Sequence, residues 1–299
     1  MPIPFVRDIQ FDYGAVQQVS PLIRRVISKN PGPFTFHGTG VYIVGHGDIA
    51  VIDPGPDQPG QLAMLQAAIA GETVTHIFVT HRHLDHAPMA RPLAALTGAT
   101  VYASGIAAKT GAISGPAMEE GDDISFRPDI AIADGDTFSA AGCTLEAIFT
   151  PGHTSDHMCF ALQEENALFS GDHIMGWSTT VVPPPDGDMD DYIRSLEKIR
   201  DRDFATLWPT HGPPITSPRP FITELIAHRL DREAQLIAQL RAGQTRIPAM
   251  VAIMYADVNP ALHPAACYSV LAQMIRLIRN GRVSADGEPT IAARYTLTT

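Results

Sequence analysis

The sequence predicts an α/β protein with a small α+β domain at its C-terminal end. Over the first 215 residues, short β-rich runs alternate with helical runs, which is typical of α/β folds. Beyond a cluster of prolines, the pattern changes to three helices and a hairpin. The composition fits a folded globular chain, because 45% of the 299 residues are hydrophobic and 18% are charged.

The elements of the first part follow from apolar periodicity and from turn residues. Two apolar runs flank the turn Gly45–Asp48, as in a hairpin. A predicted helix ends near Gly98 and begins just after Asp85 and His86, so these two residues lie at its N-terminus. The field of the helix dipole favours a carboxylate there. In chain order, we predict strands over 41–44, 49–52, 76–80, 145–149, 158–162, 167–169 and 206–208, and helices over 61–70, 87–96 and 190–200.

Two proline clusters, Pro213-Pro214 and Ser217-Pro-Arg-Pro220, mark a domain boundary. Clustered prolines cannot continue a helix or a central strand. We therefore predict one domain over residues 1–215 and a second over residues 220–299. The second domain is predicted to contain helices over 221–241, 247–256 and 264–280 and a hairpin formed by 282–287 and 290–297. Three helices followed by a two-stranded wing are the outline of a winged helix.

The block from His81 to His86 carries most of the chemical information. It holds three histidines and one aspartate, and it directly follows the apolar run His76–Thr80. In an extended chain, His81, His83 and Asp85 alternate onto one face. Neutral imidazoles together with a carboxylate suit zinc, and also iron or manganese. The block therefore predicts a metal site at the rim of a sheet.

Three later strands end in the same way, with a short turn and then a metal-binding side chain. His153 follows the turn Thr150-Pro-Gly, Asp172 follows Phe169-Ser-Gly, and His211 follows Pro209-Thr. Ligands at successive strand ends converge on one rim of a sheet. We therefore expect His153, Asp172 and His211 to join the site formed by the His81–His86 block.

Other polar residues have open roles. His157 and His173 lie close to predicted ligands along the chain and are candidates for orienting partners or proton donors. Asp53 either orients the site from beneath or caps a turn. Trp177 and the stretch 178–185 either line a substrate pocket or only pack. The histidines without a motif context are expected to have surface or structural roles: His37, His46, His76, His228 and His263.

The chain resembles the metallo-β-lactamase-fold superfamily over residues 20–215. The resemblance is carried by Asp53, the His81–His86 block, His153, Asp172 and His211. It implies an αββα sandwich with two divalent metals on one edge. It also implies that His81, His83 and His153 bind the first metal. For the second metal it implies Asp85, His86 and His211 as ligands, with Asp172 as a bridge.

The C-terminal part resembles the winged-helix extension of one branch of this superfamily. That branch contains bacterial hydrolases and the mitochondrial β-lactamase-like protein 2 type. The resemblance rests on His228-Arg-x-x-Arg232-Glu233 and on Tyr255-Ala-Asp257.

The resemblance implies hydrolysis by a hydroxide that bridges the two metals. Two cations lower the pKa of a shared water, and the resulting hydroxide attacks a carbonyl or a phosphorus. Asp85 is predicted to be the catalytic carboxylate, with one oxygen on a metal and the other orienting the hydroxide. Zinc is the expected metal, while iron and manganese stay open. With a bridging aspartate, the site would resemble that of the hydroxyacyl-glutathione hydrolases, lactonases and nucleases of the superfamily. Most zinc β-lactamases do not have such a bridge.

Two hydrolytic functions and one non-enzymatic function compete. The first is hydrolysis of a carboxyl derivative, namely an ester, thioester, lactone or β-lactam. The second is cleavage of single-stranded RNA, and the third is a winged helix that reads DNA while the first domain senses a ligand. Residues 1–214 carry 12 basic and 26 acidic residues, a balance of −14, and residues 215–299 carry 9 and 6, a balance of +3. This balance and the lack of an aromatic platform in the sequence weigh against nucleic acid.

We therefore expect a small-molecule substrate, with RNA binding and a homodimer left open. A cytoplasmic location is expected, because the three cysteines are odd in number and far apart: Cys143, Cys159 and Cys267. The first eight residues do not have the pattern of a signal peptide. No apolar run approaches the roughly 20 residues that span a bilayer, so no membrane association is expected.

Overall fold

Two mixed β-sheets form the first part of the chain in a computed structural model that describes residues 3–107, 121–140 and 142–298. In the first sheet, the described strands lie in chain order: β1 (Gln17–Gln18), β2 (Ile23–Ile27), β3 (Gly40–His46), β4 (Asp48–Ile52), β5 (Thr73–Phe78), β6 (Thr100–Ser104) and β7 (Ile130–Ile132). The pairs from β1 to β4 are antiparallel and those from β4 to β7 are parallel.

The second sheet contains five described strands in reverse chain order, from β12 to β8. They are β8 (Thr137–Ala140), β9 (Cys143–Phe149), β10 (Met158–Leu162), β11 (Ala167–Gly171) and β12 (Thr206–Pro209). All pairs are antiparallel except β11 with β12. Helix α3 (Met189–Arg200) connects these two parallel strands.

The two sheets pack face to face, and the alternation of side chains along each strand explains how. Tyr42 and Val44 of β3 belong to the apolar core between the sheets, together with Phe160 of β10. Val41 and Ile43 of the same strand point to the opposite face, where α1 (Gln61–Ala68) and α2 (Ala90–Thr97) cover the sheet. Helix α3 and the first half of α4 (Pro218–Arg241) cover the second sheet. The predicted αββα sandwich is confirmed.

The predicted winged-helix domain is also confirmed. Helices α4, α5 (Ile247–Met254) and α6 (His263–Arg279) are followed by an antiparallel hairpin of β13 (Val283–Ala285) and β14 (Tyr295–Leu297). Leu236 and Leu240 in the second half of α4 pack in this domain's own core. Helix α4 thus spans two cores, and the predicted domain boundary near residue 216 stays a prediction.

The predicted start of α2 at residue 87 is wrong. The helix begins at Ala90, so Asp85 and His86 lie in a turn before it rather than at its N-terminus. The turn is held by hydrogen bonds that its backbone makes with Gly55, whose N–H donates to the His86 carbonyl at 3.1 Å. The Met89 N–H donates to the Gly55 carbonyl, also at 3.1 Å. These bonds to a neighbouring loop take the place of a first helical turn.

No helix among the described residues is both long enough and apolar enough to cross a bilayer.

Candidate metal centre

The seven predicted ligands meet at one edge of the sandwich. The His81–His86 block follows β5, and the other ligands follow β9, β11 and β12. Every ligand is buried, with at most 7% of any residue exposed. They form two groups, and within each group the ligand atoms lie within 4.8 Å of one another. The first donor group is His81, His83 and His153, and the second donor group is Asp85, His86, Asp172 and His211.

The first donor group presents three imidazoles to one point. Nε2 of His81 lies 2.9 Å from Nδ1 of His83. Nδ1 of His81 contacts the Thr80 hydroxyl at 3.0 Å, and Nδ1 of His153 lies 2.8 Å from the Val181 carbonyl. Burial and the neighbouring imidazoles lower the pKa of His81 well below its usual range, and they lower the pKa of His83 to about 3. The rings of His81 and His83 are therefore neutral at pH 7, the form that binds a metal.

The second donor group brings two carboxylates against two imidazoles. Oδ2 of Asp85 lies 3.2 Å from Nε2 of His86 and 3.0 Å from Nε2 of His211. Oδ2 of Asp172 lies 3.5 Å and 3.4 Å from the same two nitrogens. Nδ1 of His211 is fixed by the Gly38 carbonyl at 3.2 Å.

The charges of the second donor group are strongly linked. Burial disfavours imidazolium, but the carboxylates of Asp172 and Asp85 outweigh it and raise the pKa of His211 to about 10. They raise the pKa of His86 in the same way, against the effect of burial. Burial alone would raise the pKa of Asp85 and Asp172, yet the histidines lower it. The group thus gathers negative charge that either protons or a cation must balance.

The residues fit two divalent cations. Oδ1 of Asp172 is buried and has no hydrogen-bond partner among the described residues, as expected of an atom meant for a metal. Three imidazoles in one group, and two imidazoles with two carboxylates in the other, are donor sets that zinc, iron and manganese accept. Asp172 lies with the second donor group, and its bridging role stays a prediction.

The contacts of Asp53 favour orienting the site from beneath, one of the two roles predicted for it, and this role stays a prediction. Its backbone has a φ of 50°, and its side chain is fully buried. Oδ2 contacts Nδ1 of His86 at 2.9 Å, which fixes the ring so that Nε2 faces the carboxylates. The Thr80 and Thr210 hydroxyls donate to the same oxygen at 2.8 and 2.9 Å. One carboxylate therefore joins the ends of β4, β5 and β12.

His157 and His173 lie behind the ligands and do not line the cavity above them. Nδ1 of His157 contacts the Thr150 hydroxyl at 2.9 Å, and Nε2 accepts from the Asp172 backbone N–H at 3.2 Å. This contact needs Gly171, because a Cβ there would lie 2.5 Å from Nε2 of His157. Burial lowers the pKa of His173 to about 3, so its ring is neutral. Of the two predicted roles, these contacts favour positioning for His157.

A cavity of about 330 Å³ opens onto the site. Its floor includes His83 and three members of the second donor group: Asp85, Asp172 and His211. Trp177 and residues 178–181 form one wall, so the first part of the stretch with an open role lines the cavity. The rest of that stretch does not, and Val182 packs in the core of the second sheet.

The opposite wall comes from the C-terminal domain, and sequence reasoning did not assign its individual residues to the site. It includes His228, Arg229, Arg232 and Tyr255. His228 was expected to have a surface or structural role, and its place in the cavity wall was not predicted. The motif His228-Arg-x-x-Arg232 carried the resemblance to the winged-helix extension, and its spacing places positions 228, 229 and 232 within one helical turn. Four aromatic residues also line the cavity: Phe5, Phe34, Trp177 and Tyr255. The expected lack of an aromatic platform that stacks bases stays a prediction.

Comparison with known families and proteins gives matches over both parts of the chain. Residues 35–211 match the family described as "Metallo-beta-lactamase superfamily", and residues 247–292 match "Beta-lactamase associated winged helix domain". The "Beta-lactamase-like protein 2 homolog" of Caenorhabditis elegans is 33% identical over 274 residues, which are 90% of this chain and 88% of the relative. "Atrochrysone carboxyl ACP thioesterase AgnL7" of Paecilomyces divaricatus is 33% identical over 249 residues, which are 81% of this chain and 73% of the relative.

A solved structure has the same fold over nearly the whole chain. The "Beta-lactamase domain protein" of Burkholderia ambifaria has a TM-score of 0.80 at 18% identity and covers 97% of this chain and 96% of its own. The chain is therefore a hydrolase of the metallo-beta-lactamase superfamily that carries the beta-lactamase-associated winged-helix domain.

Proposed function

We propose that the protein is a dinuclear, zinc-dependent hydrolase that acts on a carboxyl derivative, in the first place a thioester. The observation that carries this proposal is the pair of buried donor groups beneath one cavity. Two relatives named as thioesterases support the substrate class. They are 33% and 34% identical to this chain over 81% and 77% of its length.

Asp85 is the residue that we place at the chemical step. Two bound cations would supply a water of lowered pKa and positive charge for the carbonyl oxygen of the substrate. Asp85 lines the cavity, and the histidines keep the pKa of its carboxyl low, so the carboxylate is ionised at neutral pH. It is therefore placed to orient the attacking water. His86 and His211 fix Oδ2 of Asp85 from two sides at 3.2 and 3.0 Å.

The cavity suits a small substrate. Its volume of about 330 Å³ lies in the range of small-molecule sites. Trp177, Met175 and Val181 give it an apolar wall against which an acyl chain would pack.

A hydrolysis assay on the Asp85→Asn variant tests this function. Zinc-loaded protein is given a thioester, a lactone and a β-lactam, and the rates are compared with those of the variant. We expect thioester hydrolysis that the substitution slows by about 100-fold or more, because it removes the carboxylate that orients the water and that belongs to the second donor group. Asp57→Asn is the matched control, since Asp57 is exposed on the loop that follows Asp53. An undiminished rate in Asp85→Asn would refute the assignment.

Cleavage of single-stranded RNA is the second candidate. It is favoured by the basic side chains and the aromatic rings of the cavity, which suit a phosphodiester and a base. The test is cleavage of an end-labelled single-stranded RNA by zinc-loaded protein beside Asp85→Asn. Cleavage that is lost in the variant would make the protein a nuclease, and intact RNA would remove this candidate.

A further inference from the structure

The C-terminal wall of the cavity carries three basic side chains from one turn of α4. His228, Arg229 and Arg232 all line the space above the second donor group. Apart from Asp85 and Asp172, the described residues that line this cavity include no carboxylate. The cavity therefore has negative side chains only at its floor and positive side chains on its wall.

Arg229 is a buried cation with unused hydrogen-bonding capacity. Only 3% of the residue is exposed. Its Nη2 donates to the Thr180 carbonyl at 2.5 Å, and its guanidinium lies 5.0 Å from the centre of the Tyr192 ring. Its Nε is buried and has no hydrogen-bond partner among the described residues. The Thr180 hydroxyl in turn donates to the Asp172 carbonyl at 2.7 Å, which connects Arg229 to the metal centre.

Arg232 and His228 repeat this arrangement. The guanidinium of Arg232 lies 4.4 Å from the centre of the Tyr255 ring, and Nη1 donates to the Met254 carbonyl at 3.0 Å. Nε of Arg232 and Nδ1 of His228 are both buried without a hydrogen-bond partner in the described part of the chain. Three side chains in one helical turn thus keep a buried nitrogen without a partner.

The nearby acidic side chains of α4 are engaged elsewhere. Glu233 forms an ion pair with Arg276, and Asp231 accepts from the Gln235 amide at 2.6 Å. No described carboxylate lies within ion-pair distance of Arg229 or Arg232. A buried cation without a counter-charge is costly, so an anion from outside the chain would stabilise this wall.

We propose that Arg229 and Arg232, with His228 as a further hydrogen-bonding group, form an anion-binding subsite for a carboxylate or phosphate group of the substrate. This inference rests on the proposed function, because the reacting ester or thioester would lie over the second donor group while the anion is held at the wall. Guanidinium groups bind both carboxylates and phosphates through paired hydrogen bonds. The size of the cavity favours a small anionic acyl compound over a polymer.

Matched substrate pairs test the subsite. S-butanoyl- and S-succinyl-N-acetylcysteamine differ by a carboxylate. S-butanoyl-pantetheine and S-butanoyl-4′-phosphopantetheine differ by a phosphate. The kcat/KM ratio of the anionic to the neutral member is measured for zinc-loaded wild type, Arg232→Gln and Arg229→Lys. Arg241→Gln is the control, because Arg241 is exposed at the far end of the same helix.

We expect wild type to prefer the anionic member of at least one pair by roughly tenfold or more, as charge-assisted hydrogen bonds do. The substrate pair that shows the preference identifies whether the subsite binds a carboxylate or a phosphate. Arg232→Gln should bring the ratio close to one, while Arg241→Gln should keep it. If Arg229→Lys fails to fold, Arg232→Gln still decides the outcome.

Calorimetric binding of thioether analogues, in which CH2 replaces the thioester carbonyl, gives a second readout that does not need turnover. If no thioester is hydrolysed but an anionic thioether binds about tenfold more weakly to Arg232→Gln, the proposed function fails and the subsite stands. Ratios near one in wild type, with equal binding of the neutral and anionic analogues, would overturn the subsite. Arg232-dependent binding of single-stranded RNA without any preference within the pairs would overturn it too.

Discussion

Asp53 is one side chain outside the predicted ligand set whose contacts connect several parts of the candidate metal centre. It accepts hydrogen bonds from the Thr80 and Thr210 hydroxyls and contacts His86, so three strand ends and one ligand share one carboxylate. Partners of this kind fix the tautomer and the orientation of a ligand histidine. The sequence left the role of Asp53 open, because contacts between residues 53 and 210 depend on how the two sheets pack.

We predict that Asp53→Asn weakens metal binding at the second donor group by roughly 10- to 100-fold. Asparagine keeps one accepting oxygen, and its amide nitrogen only donates, so it cannot replace both accepting oxygens of the carboxylate. The His86 ring therefore loses its fixed orientation. Zinc affinity is measured by calorimetry beside the exposed-residue control Asp57→Asn. Equal affinity in both variants would show that Asp53 only caps a turn.

His228 makes a pH-dependent contribution to stability. Burial and the charges of Arg229 and Arg232 lower its pKa to about 4, whereas an unfolded histidine has a pKa of about 6.5. Below pH 6.5 the unfolded chain therefore binds the proton and the folded chain resists it. The contribution of His228 is fully present above about pH 6.5 and is lost as the pH falls toward 4.

We therefore expect His228→Gln to lose less unfolding free energy than wild type when the pH falls from about 6.5 to 4. Urea unfolding of the metal-free chains across this range measures the difference. His46→Gln, at an exposed histidine, should follow the wild-type profile. Parallel profiles for wild type and His228→Gln would contradict the assignment.

At the scale of elements, the close approach of the His153 loop to α3 depends on one glycine. Gly152 has a φ of 142°, and a Cβ at this position would lie 2.3 Å from the Cα of Tyr192. The Asp188 N–H, at the start of α3, donates to the Gly152 carbonyl at 2.9 Å. The loop that carries His153 is thus placed directly by the first turn of this helix.

Gly152→Ala should lower the free energy of unfolding by about 3 kcal/mol or more, because both the backbone angle and the space oppose a side chain. Gly135→Ala is the comparison, since Gly135 also has a positive φ but a Cβ added there would meet nothing within 4 Å. It should cost only about 1 kcal/mol. Chemical denaturation measures both values, and equal losses would remove the steric argument.

The strands and helices that the sequence predicted are those with clear apolar periodicity or strong end signals, such as β3, β10 and α6. Strand β2 was missed because Arg24 and Arg25 interrupt its apolar pattern. In the fold, Arg24 pairs with Glu72 at 2.6 Å, and Arg25 is buried and donates to the Gly212 carbonyl at 3.3 Å. Strands β1, β7 and β8 are only two to four residues long, too short for a period to show.

At the scale of the whole molecule, the cavity is complete only when the C-terminal domain packs against the sandwich. The seven predicted ligands could be proposed from the sequence because they follow the ends of four strands, four of them in one block after β5 and one each after β9, β11 and β12. The basic wall could not, since it requires α4 to lie beside the metal centre. The first half of α4 packs in the core over the second sheet, and two ion pairs accompany this contact. Arg276 pairs with Asp190 at 2.7 Å and Arg279 with Asp188 at 2.5 Å.

Asp188→Ala should destabilise the protein by about 1 to 2 kcal/mol. Asp188 caps α3 by accepting from the backbone N–H groups of residues 190 and 191 at 2.9 and 3.1 Å, and it pairs with Arg279 of α6. The ion pair adds little because the arginine is half exposed. Asp191→Ala should cost only a few tenths of a kcal/mol, since Asp191 pairs with Arg194 on the surface. Thermal or urea unfolding that ranks the two variants equally would contradict the capping role.

The measurement that tests the central claim most directly is a zinc titration of the metal-free chain, followed by both metal content and thioester hydrolysis. The two donor groups predict two zinc ions per chain and a hydrolysis rate that reaches its maximum at two equivalents. Asp172→Ala should bind less zinc and lose activity. Full activity at one equivalent, or hydrolysis that continues without metal, would contradict a dinuclear hydrolase.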